Sequence, residues 1–516
     1  MSEIKKTTSV GKPISRIDGF LKVTGRATYA AEWQVPDLAH AVLIQSSIAA
    51  GEIESFDLRE ALGVSGVIDI LTFENSPKAS MPGAGIGTGP GESFVPLQSN
   101  EVFYNGQFIG AVVAKTFEAA RHAASLVRVR YQEKPSKTSI DDRLSESFEK
   151  TRMMGVLKLN KHRGNAEKAF ADAPVKIEQK YSTAMVHHAP MEPSAIIAAW
   201  NEKQDELRVY DSTQAVADFA KMYSKAFKIS LDRTQVIAKF IGGGFGGKGS
   251  VWPHQLIAIL AAQKTKRPIK LSVTREQMFT AIGYRATTRQ TVKLGAERDG
   301  TLLSLEHHSL NATAVNNDYV ESSAVSTPTL YKVKNWKVRH DLIKVNLQAP
   351  TFMRAPGEAT GSFALESAMD ELAHELKLDP IQLALKNYTD VDNANGRPYT
   401  SKSLRACYER GAKEFGWADR THTPGTRREG DWLIGMGVAL AHYPTRLFPA
   451  KAEVEVFEDG RVEVRSATQD IGTGTYTIMA QVAAEVLQIP LEQITIKIGD
   501  SAFPRSSVSG GSSGAA

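Results

Sequence analysis

Hydrophobic and polar positions change their spacing several times along the chain, and each change marks an element. Ala41-Val42-Leu43-Ile44 and Gly66-Val67-Ile68-Asp69-Ile70-Leu71 are short apolar runs that predict strands. Phe108-Ile109-Gly110-Ala111-Val112-Val113-Ala114 is apolar throughout, as a strand buried on both faces must be. The Ala-rich stretch 116–126 predicts a helix, and Val127-Arg128-Val129-Arg130-Tyr131 alternates as a half-buried strand does. Between them, 84–92 is a glycine-rich loop expected to be mobile, and 134–149 is a charged, polar linker. Residues 1–20 predict an extended leader.

One order of elements then occurs twice. The stretches 195–200 and Leu207-Arg208-Val209-Tyr210 predict two strands around a polar turn. Asp211-Ser212-Thr213-Gln214 follows, then a helix to about Phe227, then Ile229-Ser230-Leu231-Asp232, a strand and a glycine-rich loop. Near the other end, 452–457 and 461–465 predict a hairpin across Asp459-Gly460, a strong turn signal. Ser466-Ala467-Thr468-Gln469 follows, then a helix with Met479, Val482, Ala483 and Val486 on one side. Ile489-Pro490-Leu491-Glu492, a strand over 494–498 and a second glycine-rich loop at Gly510-Gly511 complete the copy. The spacing is 255 at the glutamines (469 − 214) and 260 at the isoleucines (489 − 229). Two related halves clasping one ligand between their loops are the economical reading. A duplicated unit with no shared site is its competitor, because duplication alone makes no site.

The first glycine loop, Gly242-Gly243-Gly244-Phe245-Gly246-Gly247-Lys248, carries the densest chemical signal. The apolar run Val236-Ile237-Ala238-Lys239-Phe240-Ile241 leads into it, and Trp252, Leu256, Ile259 and Leu260 fall behind it at helical spacing. Glycines admit positive φ and let backbone approach a ligand, and a run of free N–H groups makes an anion cradle. The loop also satisfies G-x-G-x-x-G and G-x-x-x-x-G-K, but five glycines in six positions match such patterns by accident. Position 249 is Gly where a P-loop needs Ser or Thr, and Glu276 comes later than the acidic residue a dinucleotide fold requires. A Rossmann-type oxidoreductase therefore stays open only if the loop lies in a parallel βαβ sheet, and a turn with no ligand also stays open.

Between the repeats stands Pro350-Thr351-Phe352-Met353-Arg354-Ala355-Pro356-Gly357-Glu358, followed by Leu365, Met369, Leu372 and Leu376 on one helical face. Arg354, just ahead of that helix, is placed to meet an anion, the alternative being an ordinary surface arginine. His187-His188-Ala189-Pro190-Met191-Glu192-Pro193 lacks metal-ligand spacing, so its histidines are expected to be structural.

Length and composition narrow the classes. At 516 residues, two to four domains of roughly 150 residues each are expected. The net charge of +5 is spread without basic stripes, which argues against nucleic acid, and no apolar run is long enough to span a membrane. One cysteine, Cys407, excludes disulfides within the chain, a Cys-rich zinc site and an iron–sulfur cluster held by this chain alone. The first residues lack an apolar signal region and a twin-Arg pair. A cytoplasmic location is expected, or a periplasmic one through export with a signal-bearing partner.

Four motifs in order make the resemblance specific: Ser212-Thr213-Gln214, then 240–248, then Phe352-Met353-Arg354-Ala355-Pro356-Gly357, then Asp470-Ile471-Gly472-Thr473-Gly474. Together they resemble the molybdenum-binding subunit of the xanthine dehydrogenase/aldehyde oxidase family, nearest to bacterial aldehyde oxidoreductases of three subunits. The resemblance implies an α+β chain: an α/β hammerhead domain at 20–135, a first molybdopterin-binding domain at 150–390 and a related second one, partial, at 400–516. It implies that Gln214 lies near the metal's oxo group and that Gly243, Gly244, Phe245 and Gly246 bring backbone to the metal's apical oxygen. Arg354 would border the substrate pocket, Gly472, Thr473 and Gly474 would hold the pterin, and Arg354, Ala355, Gly510 and Gly511 would also bind the cofactor. Gln214, Phe245 and Arg354 are thus the catalytic candidates. The metal of the molybdopterin-type cofactor, expected as the cytosine dinucleotide, would be held by the pterin dithiolene and directly by no residue. The family adds oxygen from water to its substrate and passes electrons to iron–sulfur clusters and a flavin. A 2Fe–2S subunit and an FAD subunit are therefore the expected partners.

Purine-hydroxylating members carry a glutamate after the loop lysine and an arginine in the stretch that corresponds to 316–326. Here position 249 is Gly and that arginine has no counterpart, so a small aldehyde is the expected substrate, with an N-heterocycle as the alternative. The family's general-base glutamate matches no residue of this sequence. The chain is therefore expected to be C-terminally truncated, inactive alone, and to leave an apolar face of its second repeat uncovered. A noncatalytic fragment that only docks partners is the remaining reading.

Overall fold

The computed structural model describes residues 9–80, 91–444, 447–511 and 515, so most of the 84–92 loop lies outside the described residues. The strands predicted in the first 135 residues form and divide between two sheets: Arg128–Glu133 pairs with Gly51–Asp57 in a small sheet of this region, and the other three join strands from later in the chain. Ala39–Gln45 pairs antiparallel with Phe108–Ala114, which pairs with Val67–Leu71. On its other edge Ala39–Gln45 pairs parallel with Ile269–Ser272, matching Ala39 to Ile269 and Ala41 to Leu271. One seven-stranded sheet therefore joins the N-terminal region to the first repeat, continuing through Ala195–Trp200 and Leu207–Asp211 to Thr234–Ile237 at its edge. Phe108–Ala114 is buried at every residue, because it is central and covered on both faces.

A second sheet, of long strands, carries Val175–Thr183, Thr288–Ala296, Leu302–Ala314 and Asn335–Val345. Helix Glu358–Leu376 packs on it through Leu365, Met369 and Leu372, three of the four residues that predicted the helix.

The duplicated unit is present in both copies with the same topology. In each, a strand pairs antiparallel with the next and that one pairs parallel with a third: Leu207–Asp211 with Thr234–Ile237, and Val462–Ser466 with Ile494–Ile498. The helices between, Val216–Phe227 and Thr475–Leu487, both end on a left-handed residue, Lys228 and Gln488. The spacing grows from 255 to 260 because the second copy has a longer strand-to-helix loop and one more helical residue. That extra loop is the Asp470-to-Gly474 segment.

The first copy has its sheet covered by Pro253–Thr265, a helix buried on all sides over 253–262. The second copy has an open apolar cleft of about 320 Å³ lined by Val454, Val464, Ile478, Val482 and Val486. The expected uncovered face is therefore present. Among the described residues no helix is long and apolar enough to cross a membrane.

Candidate functional site

Gln214 sits where the chain leaves strand Leu207–Asp211 for helix Val216–Phe227, and it is buried. Both ends of its amide are used. Oε1 accepts from Gly246 N at 3.0 Å, and Nε2 donates to the Ser509 carbonyl at 2.9 Å. Its backbone repeats the pattern: Gln214 N donates to Lys248 O, and Ser509 N donates to Gln214 O, each at 2.8 Å. One side chain thus ties the first glycine loop to the second, across the two repeats. The halves also meet along their edges, where Ala238 N donates to Gly499 O at 2.7 Å and Phe240 pairs with Asp470.

Close approach explains the glycines. A Cβ on Gly244 would lie 2.4 Å from Gln214 Oε1, and one on Gly246 would lie 2.4 Å from the Phe352 carbonyl oxygen. Gly243, next in the same turn, has φ of +94°. Phe245 takes a left-handed conformation, φ +55°, which turns its ring outward to 40% exposure. Arg354 N donates to Phe245 O at 3.0 Å, and the Arg354 guanidinium stands 5.9 Å from the Phe245 ring centroid. Ala355 follows with φ +54°. Gln214, 243–246, Arg354 and Ala355 are therefore brought together. Gly510 joins them, a Cβ there lying 3.6 Å from Gln214 Nε2, while Gly511 is exposed beyond it. Gly472, Thr473 and Gly474 flank this cluster on the second-repeat side, beside the Phe240–Asp470 pairing.

Residues outside the predicted site set hold this arrangement. Lys248 does not face a phosphate. Its Nζ pairs with Glu192 Oε2 at 2.7 Å and donates to Glu192 O at 3.0 Å, with the side chain 2% exposed. Glu192 Oε2 also accepts from Gly242 N at 2.9 Å. Burial lowers the Lys248 pKa, and the Glu192 carboxylate acts against that shift. His188 Nε2 donates to the Phe352 carbonyl at 2.6 Å while its ring backs Gly247. Burial pushes His188 down to about 4, so it is a neutral strut. Both histidines act as packing residues, since the His187 ring meets Phe279 edge-on at 5.1 Å. No sequence signal links Glu192 to Lys248, since 56 positions separate them.

The Rossmann alternative fails on topology. The helix after the glycine loop leads to Ile269–Ser272, which is separated from Thr234–Ile237 by Leu207–Asp211 and the antiparallel Ala195–Trp200.

The arrangement fits a large organic cofactor: two side-chain-free loops converge on one neutral amide, and a Cβ on Gly472 would meet nothing within 4 Å. Among the described residues no group of three His, Cys, Asp or Glu side chains could hold a metal ion. A pterin dithiolene carries its own metal ligands, so a cofactor of that type would need none from this cradle.

Comparison with known proteins agrees with this geometry. Residues 148–388 and 410–516 each match a molybdopterin cofactor-binding domain, and 24–135 match the a/b hammerhead domain of aldehyde oxidase and xanthine dehydrogenase. The aldehyde oxidoreductase molybdenum-binding subunit PaoC of Escherichia coli K12 is 36% identical over 512 residues, 98% of this chain and 68% of that relative. The chain belongs to the aldehyde oxidase/xanthine dehydrogenase family of molybdenum-binding subunits. The family is one of molybdenum-dependent oxidoreductases, and its hammerhead domain precedes its two cofactor-binding domains here as expected. The putative xanthine dehydrogenase molybdenum-binding subunit XdhA of E. coli K12 is 28% identical over 93% of the chain and 66% of its own length. The fold is shared with the aldehyde oxidoreductase of Desulfovibrio gigas, at TM-score 0.81 and 24% identity, over 96% of this chain and 57% of that one. It is also shared with quinoline 2-oxidoreductase of Pseudomonas putida 86, at TM-score 0.80 and 21% identity, over 98% and 69%.

Proposed function

We propose that this chain supplies the cofactor cradle and part of the substrate wall of a molybdenum hydroxylase that oxidises small aldehydes to carboxylic acids. The observation that carries this reading is the Gln214 amide, bonded at once to Gly246 N and Ser509 O where the two repeats meet. When bound, the molybdenum cofactor supplies the two-electron oxidation with oxygen taken from water. The roles of the chain's own residues follow from their positions. Gln214 fixes the spacing of the two glycine loops and keeps a neutral hydrogen-bonding group at the cofactor. Gly243, Gly244 and Gly246 keep the cradle free of side chains, and Gly472, Thr473, Gly474, Gly510 and Gly511 extend it along the second repeat. Phe245 presents an apolar face, and Arg354 and Ala355 form the rim beside it, where a guanidinium orients the aldehyde oxygen or the product carboxylate. The cofactor is read as the cytosine dinucleotide, the electron acceptors as 2Fe–2S and FAD subunits, and the location as the cytoplasm, or the periplasm with a signal-bearing partner.

An aldehyde suits this rim better than an N-heterocycle. Position 249 is Gly, and the charged residue at 321 turns inward, its Oε1 accepting from Gly357 N at 2.7 Å. Neither side chain offers a polar anchor to a heterocycle. The test is to purify the complete assembly, measure molybdenum, and compare turnover of a benzaldehyde with that of hypoxanthine using an artificial electron acceptor. Aldehyde turnover is expected to dominate. Faster hypoxanthine turnover would overturn the reading.

A further inference from the structure

Beneath the turn that carries Arg354 lies a buried ion pair which the roles above leave unused. Arg285 Nε stands 3.4 Å from Glu321 Oε1, and the Glu321 side chain is fully buried. The two residues grip opposite ends of one turn. Arg285 Nη2 donates to the carbonyls of Met353 and Arg354. Glu321 Oε1 accepts from Gly357 N at 2.7 Å. The shelf under the turn leaves no room for it to settle elsewhere, since a Cβ on Gly357 would lie 2.5 Å from Ser322 Oγ and one on Gly361 would lie 1.8 Å from Ser323 O. Arg285 is itself fixed by a backbone pairing with Val186, the residue before His187-His188. We infer that Arg285 and Glu321 form a positioning clamp that sets the Met353-to-Gly357 turn, and through it the guanidinium of Arg354, for the substrate. The inference rests on Arg354 bordering the substrate, as proposed above.

The clamp also makes substrate binding sensitive to pH. Burial pushes Glu321 up to about 7, with Arg285 and the Gly357 N–H acting against the shift and Glu358 and Tyr319 also facing the carboxyl. Below that value the carboxyl is protonated and its attraction to Arg285 is lost.

The experiment uses the complete, molybdenum-loaded assembly and four variants: Glu321→Ala, Glu321→Gln, Arg285→Lys and Arg354→Met. Exchange of the backbone amides in 353–357 reports the turn directly, and KM and kcat for an aldehyde report its effect. Glu321→Ala is expected to speed exchange at Gly357 at least tenfold and to raise KM at least tenfold, with molybdenum content unchanged. Glu321→Gln keeps an acceptor for Gly357 N. It is expected to hold exchange within about threefold and to abolish the wild-type change in KM near pH 7. Should the alanine variant not accumulate, Arg285→Lys, which cannot grip two carbonyls with a planar fork, is expected to raise KM alone. Unaltered exchange and KM in Glu321→Ala, or in Arg285→Lys where the alanine variant does not accumulate, would overturn the clamp. So would a KM change near pH 7 that persists in Glu321→Gln. If Glu321→Ala loosens the turn while Arg354→Met leaves KM unchanged, the clamp stands and the reading of Arg354 falls.

Discussion

The two glycine-bearing loops at the centre of this chain are held by different means. The first, 242–248, is anchored within its own region by a buried ion pair, Lys248 with Glu192, whose side chains are 2% and 13% exposed. The other, the strand-to-helix loop 470–474, turns on Asp470, whose Oδ1 accepts from the backbone N–H groups of Gly472, Gly474 and Thr475. Its Oδ2 is held at 2.6 Å by Lys22, a residue of the N-terminal segment 448 positions away. The same segment runs along helix Thr475–Leu487, where Ile17 N donates to Thr477 Oγ1 and Ser9 N to Glu485 Oε2. The 470–474 loop is the enlarged copy of the strand-to-helix loop that carries Gln214 in the first repeat, and where the 242–248 loop became part of a core this one became a surface loop tied down by a strap. Two glycine-bearing loops of one chain therefore need not share one kind of support.

Breaking each anchor tests that contrast. Lys248→Met leaves the Glu192 carboxylate buried without its partner and is expected to cost about 3–5 kcal/mol, read from the urea midpoint. A loss below about 1 kcal/mol would mean that the first loop is not anchored by this pair. Gly244→Val drives a side chain into Gln214 and is expected to lower molybdenum content severalfold in a protein that still folds. In the other loop, Gly472→Ala meets nothing within 4 Å and costs only the strain of φ +97°, about 1 kcal/mol, with molybdenum retained. Full metal loading in Gly244→Val would remove the distinction between the loops.

Lys22→Met removes a partly exposed cation and leaves Asp470 its backbone donors. The expected cost is about 1 kcal/mol, since Lys22 itself reaches solvent and the buried Asp470 keeps three backbone N–H donors. It should appear as roughly fivefold faster amide exchange confined to 470–475 and be restored by Lys22→Arg. Faster exchange in the first loop as well would show that the two anchors are coupled.

The smallest effect concerns pH. His188 is pushed down to about 4, and His254, His307 and His340 to about 3, mainly by burial. These four are neutral when folded and take up protons on unfolding, which lowers stability as pH falls below about 6.5. Four buried carboxyls act in the opposite sense: Glu92 and Glu321 are pushed up to about 7, and Asp211 and Glu366 to about 6, again mainly by burial. They are protonated when folded and release protons on unfolding, down to about pH 4.5. The two sets nearly cancel between about pH 4.5 and 6, so the urea midpoint should stay level there and fall below about 4.5, where only the histidines still act. A steady fall from pH 6.5 downward would mean that the carboxyls are not holding protons.

Much of this arrangement was legible because it is local. Alternation and apolar runs marked the strands, and the two offsets located the repeat together with its longer second loop. Five glycines in six positions before a helix identified a backbone that something must approach. The supports were not legible, because their partners are far apart in the chain and no periodicity links them. Lys22 with Asp470, Arg285 with Glu321 and Glu192 with Lys248 become pairs only once the fold exists. The pairing of Ala39–Gln45 with Ile269–Ser272 was hidden for the same reason.

That shared sheet has a consequence in time. During synthesis the edge of Ala39–Gln45 emerges about 230 residues before the strand that completes it, a wait on the order of tens of seconds at ordinary elongation rates. For that interval the nascent chain presents an unpaired β edge, the kind of surface that recruits other strands. Lys22 waits longer still for Asp470. The order of manufacture thus makes the strap the last of these supports to close, and it leaves the second loop open while the first is already built.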